Sequence, residues 1–471
     1  MDFRRQSAFE LAQQVRKGEL AALDLVDHAL ERIAALNPVL NAFVAVDGDR
    51  ARAAAAAMDE TIAAGIDVGP LAGLPIGVKD LEDAAGFVTS HGSKALGDLP
   101  PATRDSALVA RLVAAGCIVM GKTNTPELGW KADTDNTRFG RTANPWNVDH
   151  SPGGSSGGSA AAIASGMVPL ATGSDGGGSI RIPSACCGLS GVKPSLGRIP
   201  GGGSEPPDWH DLSTRGPMAR RLEDVVAALE VAVGPDPTDL RSLPRPEASW
   251  VAAVDDPRPP SRVAWSPTLG YADVDAEVLA TCERAVETMA GLGADIVEVD
   301  TVFDSDPVND WFTLASVYNL RTYADLRGTD AWQHVDPVLA MVIESAVSIT
   351  ALDVVRALDS CHSMNLRLVD LFREARLLLT PTTAAAAPPQ ALGGSGLINS
   401  TPDLNWVKFT YPFNMTRSPA ATVCAGMTAN GLPVGIQLVG PQHADLVVIR
   451  AAAALEAAIG FDAVAPDPIS S

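Results

Sequence analysis

Residues 151–194 constrain this 471-residue chain more than any other stretch. Two clusters of small residues stand there, Gly153-Gly154-Ser155-Ser156-Gly157-Gly158-Ser159 and Gly176-Gly177-Gly178-Ser179, separated by an alanine-rich segment. Glycines at this density let backbone N–H groups converge on one point, because a residue without Cβ adopts φ/ψ values closed to the others. Upstream, Lys79 ends the short apolar run Leu74-Pro75-Ile76-Gly77-Val78. A serine at each cluster and one lysine on a strand end are the components of a serine nucleophile served by a lysine base.

Around these clusters, helical and strand-like periods alternate. Residues 7–64 read as helices, with Leu11, Val15, Leu25, Val26, Leu30 and Ile33 at helical spacing and an alanine-rich run over 50–64. Residues 71–78 read as a buried strand ending near Lys79, 107–115 as a helix and 117–120 as a strand. A small-residue helix is expected over 159–166 and a strand over 168–172. The proline- and charge-rich segment 235–260 is the linker candidate. Beyond it come strands at 263–265, 295–299, 377–380, 420–423 and 434–439, with helices at 275–292 and 445–458 and a mostly helical stretch over 307–375. This alternation predicts an α/β architecture with a covered sheet.

Bulk composition excludes several function classes. A net charge of −21 argues against polyanions, whose phosphates need clustered Lys and Arg, so no nucleic-acid partner is expected. The start of the chain lacks an apolar signal core, and no run approaches the roughly 20 apolar residues that span a bilayer. The expectation is therefore a cytoplasmic protein with no membrane partner. Six scattered cysteines without a Cys-x-x-Cys pair read as reduced buried thiols, with a strained Cys186–Cys187 bond as the minor alternative. No His/Glu or Cys/His spacing points to a catalytic metal, and no cofactor is implied.

Three familiar patterns match by letter and fail by context. Gly116–Thr123 fits the phosphate loop G-x-x-x-x-G-K-T, but its variable positions read as a strand and Asn124-Thr125-Pro126 blocks a helix. Gly153-Gly154-Ser155-Ser156-Gly157 fits a nucleophile elbow, yet the segment before it is polar and proline-bounded rather than a buried strand. That reading also needs a catalytic histidine, and His210, His334, His362 and His443 sit in no distinctive setting. Ser190-Gly191-Val192-Lys193 fits S-x-x-K, but Gly191 and Pro194 oppose the helix that would bring Lys193 to Ser190.

Without a placed histidine the base must be another group, and Lys79 is the best placed lysine, since burial beside its apolar run lowers its pKa. The ordered set Gly77-Val78-Lys79-Asp80, Gly121-Lys122-Thr123-Asn124, Pro152 to Ser159, Gly177-Gly178-Ser179-Ile180-Arg181-Ile182-Pro183 and the stretch 188–194 resembles the amidase signature family. Leu36-Asn37-Pro38, Asn41-Ala42-Phe43 and Leu432-Pro433-Val434-Gly435-Ile436-Gln437 extend the resemblance over nearly the whole chain.

The resemblance implies a three-layer α/β/α fold, a large mixed twisted sheet covered by helices. It implies one domain over 1–471, with an N-terminal helical region at 1–65, a catalytic core at 66–235 and a variable helical region at 300–375 that shapes the pocket. It further implies a Ser–cisSer–Lys triad: Ser179 as nucleophile, Ser155 as the bridging serine after a cis peptide bond from Gly154, and Lys79 as general base. The N–H groups of Gly176, Gly177, Gly178 and Ser179 are then the oxyanion hole. Asp175 and Arg181 are expected to brace the loop, and Ser156 to add a hydroxyl to the relay. Many relatives carry a side chain where this one has Gly176, which leaves either a wider pocket or a looser hole.

The pocket candidates are Trp130, Trp209, Trp311, Phe312, Trp332, Met341, Tyr411 and Phe413. An aromatic pocket favours small apolar or aryl amides, with carbamates and esters as related substrates, in a monomer or homodimer. Two alternatives are the glutaminase subunit of a tRNA-dependent amidotransferase and a non-catalytic binding protein on the same fold. The 307–375 stretch lacks the Tyr/Glu/Lys/Arg-rich character of the former.

Overall fold

The structure is a computed structural model and describes residues 1–202, 206, 209 and 211–467. Eleven strands build one mixed sheet. In chain order they are β1 (Phe43–Val46), β2 (Pro75–Lys79), β3 (Ile118–Thr123), β4 (Leu170–Asp175), β5 (Ser190–Lys193), β6 (Thr214–Ala219), β7 (Arg262–Trp265), β8 (Asp295–Glu298), β9 (Leu378–Pro381), β10 (Ala420–Met427) and β11 (Pro433–Val439). Across the sheet they run β1-β3-β2-β4-β6-β5-β10-β11-β9-β7-β8. The strands away from the edges are buried on both faces: every residue of β2, β5, β9 and β11 is buried, as a strand covered by helices on either side must be.

Parallel pairing of β2 with both β3 and β4 brings Lys79 beside the strand that leads into the second glycine cluster. β4 then runs antiparallel to β6 over its full length, from Leu170↔Ala219 to Asp175↔Thr214. This pairing carries β4 three residues beyond the expected 168–172. The first glycine cluster opens the helix Gly157–Ala164, and the second opens the helix Arg181–Cys187, closed by Gly188 in the left-handed region.

Two readings of the sequence are corrected. Residues 7–64 are not helical throughout, because β1 interrupts them as the edge strand antiparallel to β3. Asn41 at φ 48° ends the helix Ala22–Leu40, and the Asn37 side chain accepts from the N–H groups of Ala42 and Phe43, turning Phe43-Val44-Ala45-Val46 into the sheet. The segment 235–260 is no free linker either. It contains the short helix Val251–Asp255 and buries Trp250 in the same core as Ile76, Val78 and Leu170. Glu230 Oε2 fixes it by accepting from the Trp250 N–H at 2.6 Å.

The phosphate-loop match is largely strand β3, and the S-x-x-K match is strand β5. No single helix among the described residues is long and apolar enough to cross a membrane. All six cysteines are free.

Candidate active site

Lys79 is the last residue of β2 and is wholly inaccessible. Its Nζ donates to Ser155 Oγ at 2.8 Å and to Ser174 Oγ at 2.9 Å, and its backbone N–H donates to Thr172 Oγ1 at 2.9 Å. Thr172 and Ser174 alternate along β4 and so present their hydroxyls on one side, to the same lysine. Burial pushes the Lys79 pKa down to about 7, against the pull of the Glu82 and Asp175 carboxylates. The amine therefore gains and loses its proton around neutral pH while it remains hydrogen-bonded.

The Gly154–Ser155 peptide bond is cis, and Ser155 is buried. Ser155, Ser174, Gly176 and Ser179 line one cavity, with Leu81, Leu128, Trp209, Asn319 and Thr322 on its walls. Glu82 and Arg215, joined at 2.6 Å, and His91 give the same cavity a polar side.

The loop between β4 and Ser179 is held from behind at successive carbonyls. Asn414 Nδ2 donates to Asp175 O at 2.7 Å, Trp311 Nε1 to Gly176 O at 3.0 Å and Thr410 Oγ1 to Gly177 O at 2.6 Å, while Ile182 N–H donates to Gly178 O at 2.7 Å. In a trans peptide the N–H points opposite to the carbonyl, so anchoring the oxygens turns the following amides the other way. The Gly178 N–H is an exception to the expected set of four donors, because it is already given to Asp175 Oδ1 at 2.8 Å. The N–H groups of Gly176, Gly177 and Ser179 have no acceptor among the described residues.

Asp175 and Arg181 are both inaccessible and meet at 2.8 and 2.9 Å through two parallel contacts. Arg181 also donates to Thr410 O, Gln437 Oε1 and Asn414 Oδ1. Burial alone would raise the Asp175 pKa, but the Arg181 charge and its hydrogen bonds outweigh burial and hold it at about 2. Ser156 Oγ does not reach Lys79. It hydrogen-bonds the backbone N–H and carbonyl of Ser174 at 3.4 Å each, and so supports β4 instead.

Of the eight pocket candidates, Trp209 lines the cavity and Trp311 stands behind it against the loop. A Cβ on Gly176 would lie 2.6 Å from Trp209 Cε3, and one on Gly177 would lie 2.6 Å from Trp311 Cζ2. The extra glycine at 176 therefore admits the Trp209 indole and does not widen the pocket. The two indoles meet edge to face at 5.7 Å, and Trp209 Nε1 donates to Asn319 Oδ1.

The other six candidates lie elsewhere. Phe312 and Met341 are exposed at 41% and 63%, because they sit on the outer faces of their helices. Tyr411 and Phe413 are core residues, the former tied to Asp306 and Asn405 and the latter packed on Phe303. Trp130 and Trp332 pack in a separate cluster around Tyr323 and Ile343. His210 lies outside the described residues, and His334, His362 and His443 do not line the cavity.

Sequence reasoning missed Ser174, although the pair Thr172/Ser174 on a strand beside Lys79 was the signal that could have found it. It had no signal for Thr410, Asn414 and Gln437, which arrive from more than 200 residues away.

A family model described as Amidase matches residues 24–449. The chain is 38% identical over 465 residues to an acylamidase of Rhodococcus erythropolis, covering 96% of this chain and 95% of that protein. It is 34% identical over 463 residues to a glutamyl-tRNA(Gln) amidotransferase subunit of a Synechococcus species, covering 92% of each. The solved structure of a bacterial aryl acylamidase, described as an amidase signature enzyme, superposes with a TM-score of 0.91 at 31% identity, covering 97% of this chain and 96% of that one.

Proposed function

This chain belongs to the amidase signature family and hydrolyses amide C–N bonds, and from that premise we propose that it cleaves small apolar or aryl amides through an acyl-enzyme on Ser179. The observation that carries the proposal is the buried Lys79 amine, 2.8 Å from Ser155 Oγ, a hydroxyl whose residue lines the same cavity as Ser179. Neutral Lys79 takes the Ser155 proton while Ser155 takes that of Ser179, and Ser179 Oγ attacks the amide carbonyl carbon. The N–H groups of Gly176, Gly177 and Ser179 receive the oxyanion. The C–N bond then breaks as the relay returns its proton to the departing amine. A water molecule, deprotonated by the same relay, attacks the acyl carbon and releases the acid and free Ser179.

Leu81, Leu128 and Trp209 on the cavity wall support an apolar or aryl group next to the scissile bond. The acylamidase and aryl acylamidase relatives support the same substrate class. Carbamates and esters fit as related substrates, because they undergo the same acyl transfer with a different leaving group. The free cysteines support a cytoplasmic enzyme, and the shared core around Trp250 supports a single domain over 1–471.

Initial rates on 4-nitroacetanilide, the matched nitrophenyl carbamate and the matched ester, for the wild type and Ser179→Ala, test the reading. Turnover of the anilide by the wild type and its loss in Ser179→Ala is the expected result. Turnover that survives Ser179→Ala overturns the nucleophile, and reaction of charged polar amides alone overturns the substrate class. The Synechococcus relative favours a second reading, a glutaminase component of an amidotransferase. Glutamine hydrolysis that appears only with partner proteins, and no anilide turnover, would shift the assignment to it.

A further inference from the structure

The helix Ala351–Glu374 carries two apolar stripes, and only one of them has a partner among the described residues. Val354, Ala357, Cys361, Met364, Leu368 and Leu371 recur at alternating spacings of three and four and pack into the chain's own core with Leu314 and Ala315. Offset by two residues, and so on nearly the opposite side of the helix, Leu352, Val355, Asp359, His362, Leu366 and Val369 repeat the same spacing toward solvent. Leu352, Val355, Leu366 and Val369 are 55%, 50%, 50% and 44% exposed. A surface helix ordinarily keeps its outer face polar, so a second apolar seam marks a contact surface.

We propose that this outer stripe is a two-fold interface on which a second copy of the chain packs its own Ala351–Glu374 helix antiparallel. The stripe is complementary to itself. With the two-fold axis between residues 360 and 361, Leu352 meets Val369 of the second copy, Val355 meets Leu366 and Asp359 meets His362. Every stripe position is then matched, apolar to apolar and carboxylate to imidazole, as an isologous contact requires. No register shifted by a turn keeps the Asp359–His362 match. A lipid surface suits the stripe less well, because the Asp359 carboxylate at its centre is costly in hydrocarbon. A single-helix contact lies at the small end of specific interfaces, so a micromolar dimer is expected.

Sedimentation equilibrium of the full chain over about 1 to 100 µM tests this, with thermal melts as the folding control. The wild type should dimerise, and Val355→Glu with Leu366→Glu should leave a monomer with an unchanged melt. His362→Asp should weaken the dimer at least about ten-fold by facing two carboxylates across the interface. The double variant Asp359→Lys/His362→Asp should restore it, which a merely nonspecific apolar patch would not do. A wild type that stays monomeric at the highest concentration overturns the proposal. So does a dimer indifferent to the glutamates, or a charge swap that fails to restore association. Cosedimentation of a monomer with phosphatidylcholine vesicles, abolished by the two glutamates, would assign the face to lipid and overturn it as well.

Discussion

The indole N–H of Trp311 donates to the carbonyl oxygen of Gly176 at 3.0 Å, so the helix Val308–Tyr323 holds the peptide that carries the Gly177 amide. The contact fits closely, since any Cβ at 177 would collide with the same indole. Trp311 is not among the residues that line the cavity, so it would act on the proposed oxyanion hole through the loop. Trp311→Phe keeps an aromatic ring and removes the donor, freeing that peptide plane to rotate. The expected outcome is a fall of about ten-fold in kcat on 4-nitroacetanilide with KM nearly unchanged, less than the 10²–10³ typical of deleting an oxyanion donor outright. A rise in KM with kcat preserved would make Trp311 a wall of the pocket instead.

The pH dependence follows from the buried lysine. Below about 7 the Lys79 amine holds its proton and cannot accept one, so kcat/KM should rise with pH through neutrality and level off above it. A profile that falls over that range would exclude Lys79 as the base. Stability changes in the same direction. The unfolded lysine titrates near its ordinary 10.5, so between about 7 and 10.5 the unfolded chain binds the extra proton and stability increases as pH rises. At pH 7.5 this lysine therefore destabilises the fold. Lys79→Met should lower activity about 10³-fold while raising the melting temperature by a few degrees. An equal or lower melting temperature would show that its two hydroxyl contacts outweigh its burial.

The absent side chain at Gly176 makes room for Trp209, and that space predicts selectivity. Gly176→Ala should push the indole from the cavity wall and raise KM for aryl amides about ten-fold, with acetamide little affected. Adding Gly176→Ala to Trp209→Ala should cost almost nothing further, because the clash is gone. Two independent penalties that simply add would mean that the residues act separately.

The α/β class was legible because buried strands and amphipathic helices have different periods, and the pairing of Lys79 with Ser155 only through the resemblance carried by the ordered motifs around Lys79, Ser155 and Ser179, since neither residue alone has a distinctive setting. The order of eleven strands was not, since β5, β10 and β11 meet through pairings set by tertiary packing. Nor was the pocket. Trp311 and Phe312 are adjacent aromatics about 100° apart around one helix, and only the packing of that helix decides that the first faces the loop while the second is 41% exposed. Trp209 lies in a glycine- and proline-rich stretch whose period carries no direction. The outer stripe of Ala351–Glu374 was visible as letters, but a second stripe at the same spacing concealed which of the two was core.

The Asp175–Arg181 pair ties this local geometry to the whole sheet. Asp175 receives the Gly178 and Ile180 amides on one side, while Arg181 reaches Thr410, Asn414 and Gln437 on the other. One ion pair therefore joins the end of β4 to β11 and to the short helix Pro412–Met415. Removing one partner leaves the other charge buried and unmatched, a loss of about 3–5 kcal/mol. Arg181→Met should accordingly lower the urea midpoint sharply and abolish turnover together. Arg181→Lys should rescue neither, because an ammonium cannot reproduce the planar fork that spans Asp175 and Asn414. Activity near wild type in Arg181→Lys would show that the loop needs only the charge, and that the carbonyl anchors at Gly176 and Gly177 suffice to hold its shape.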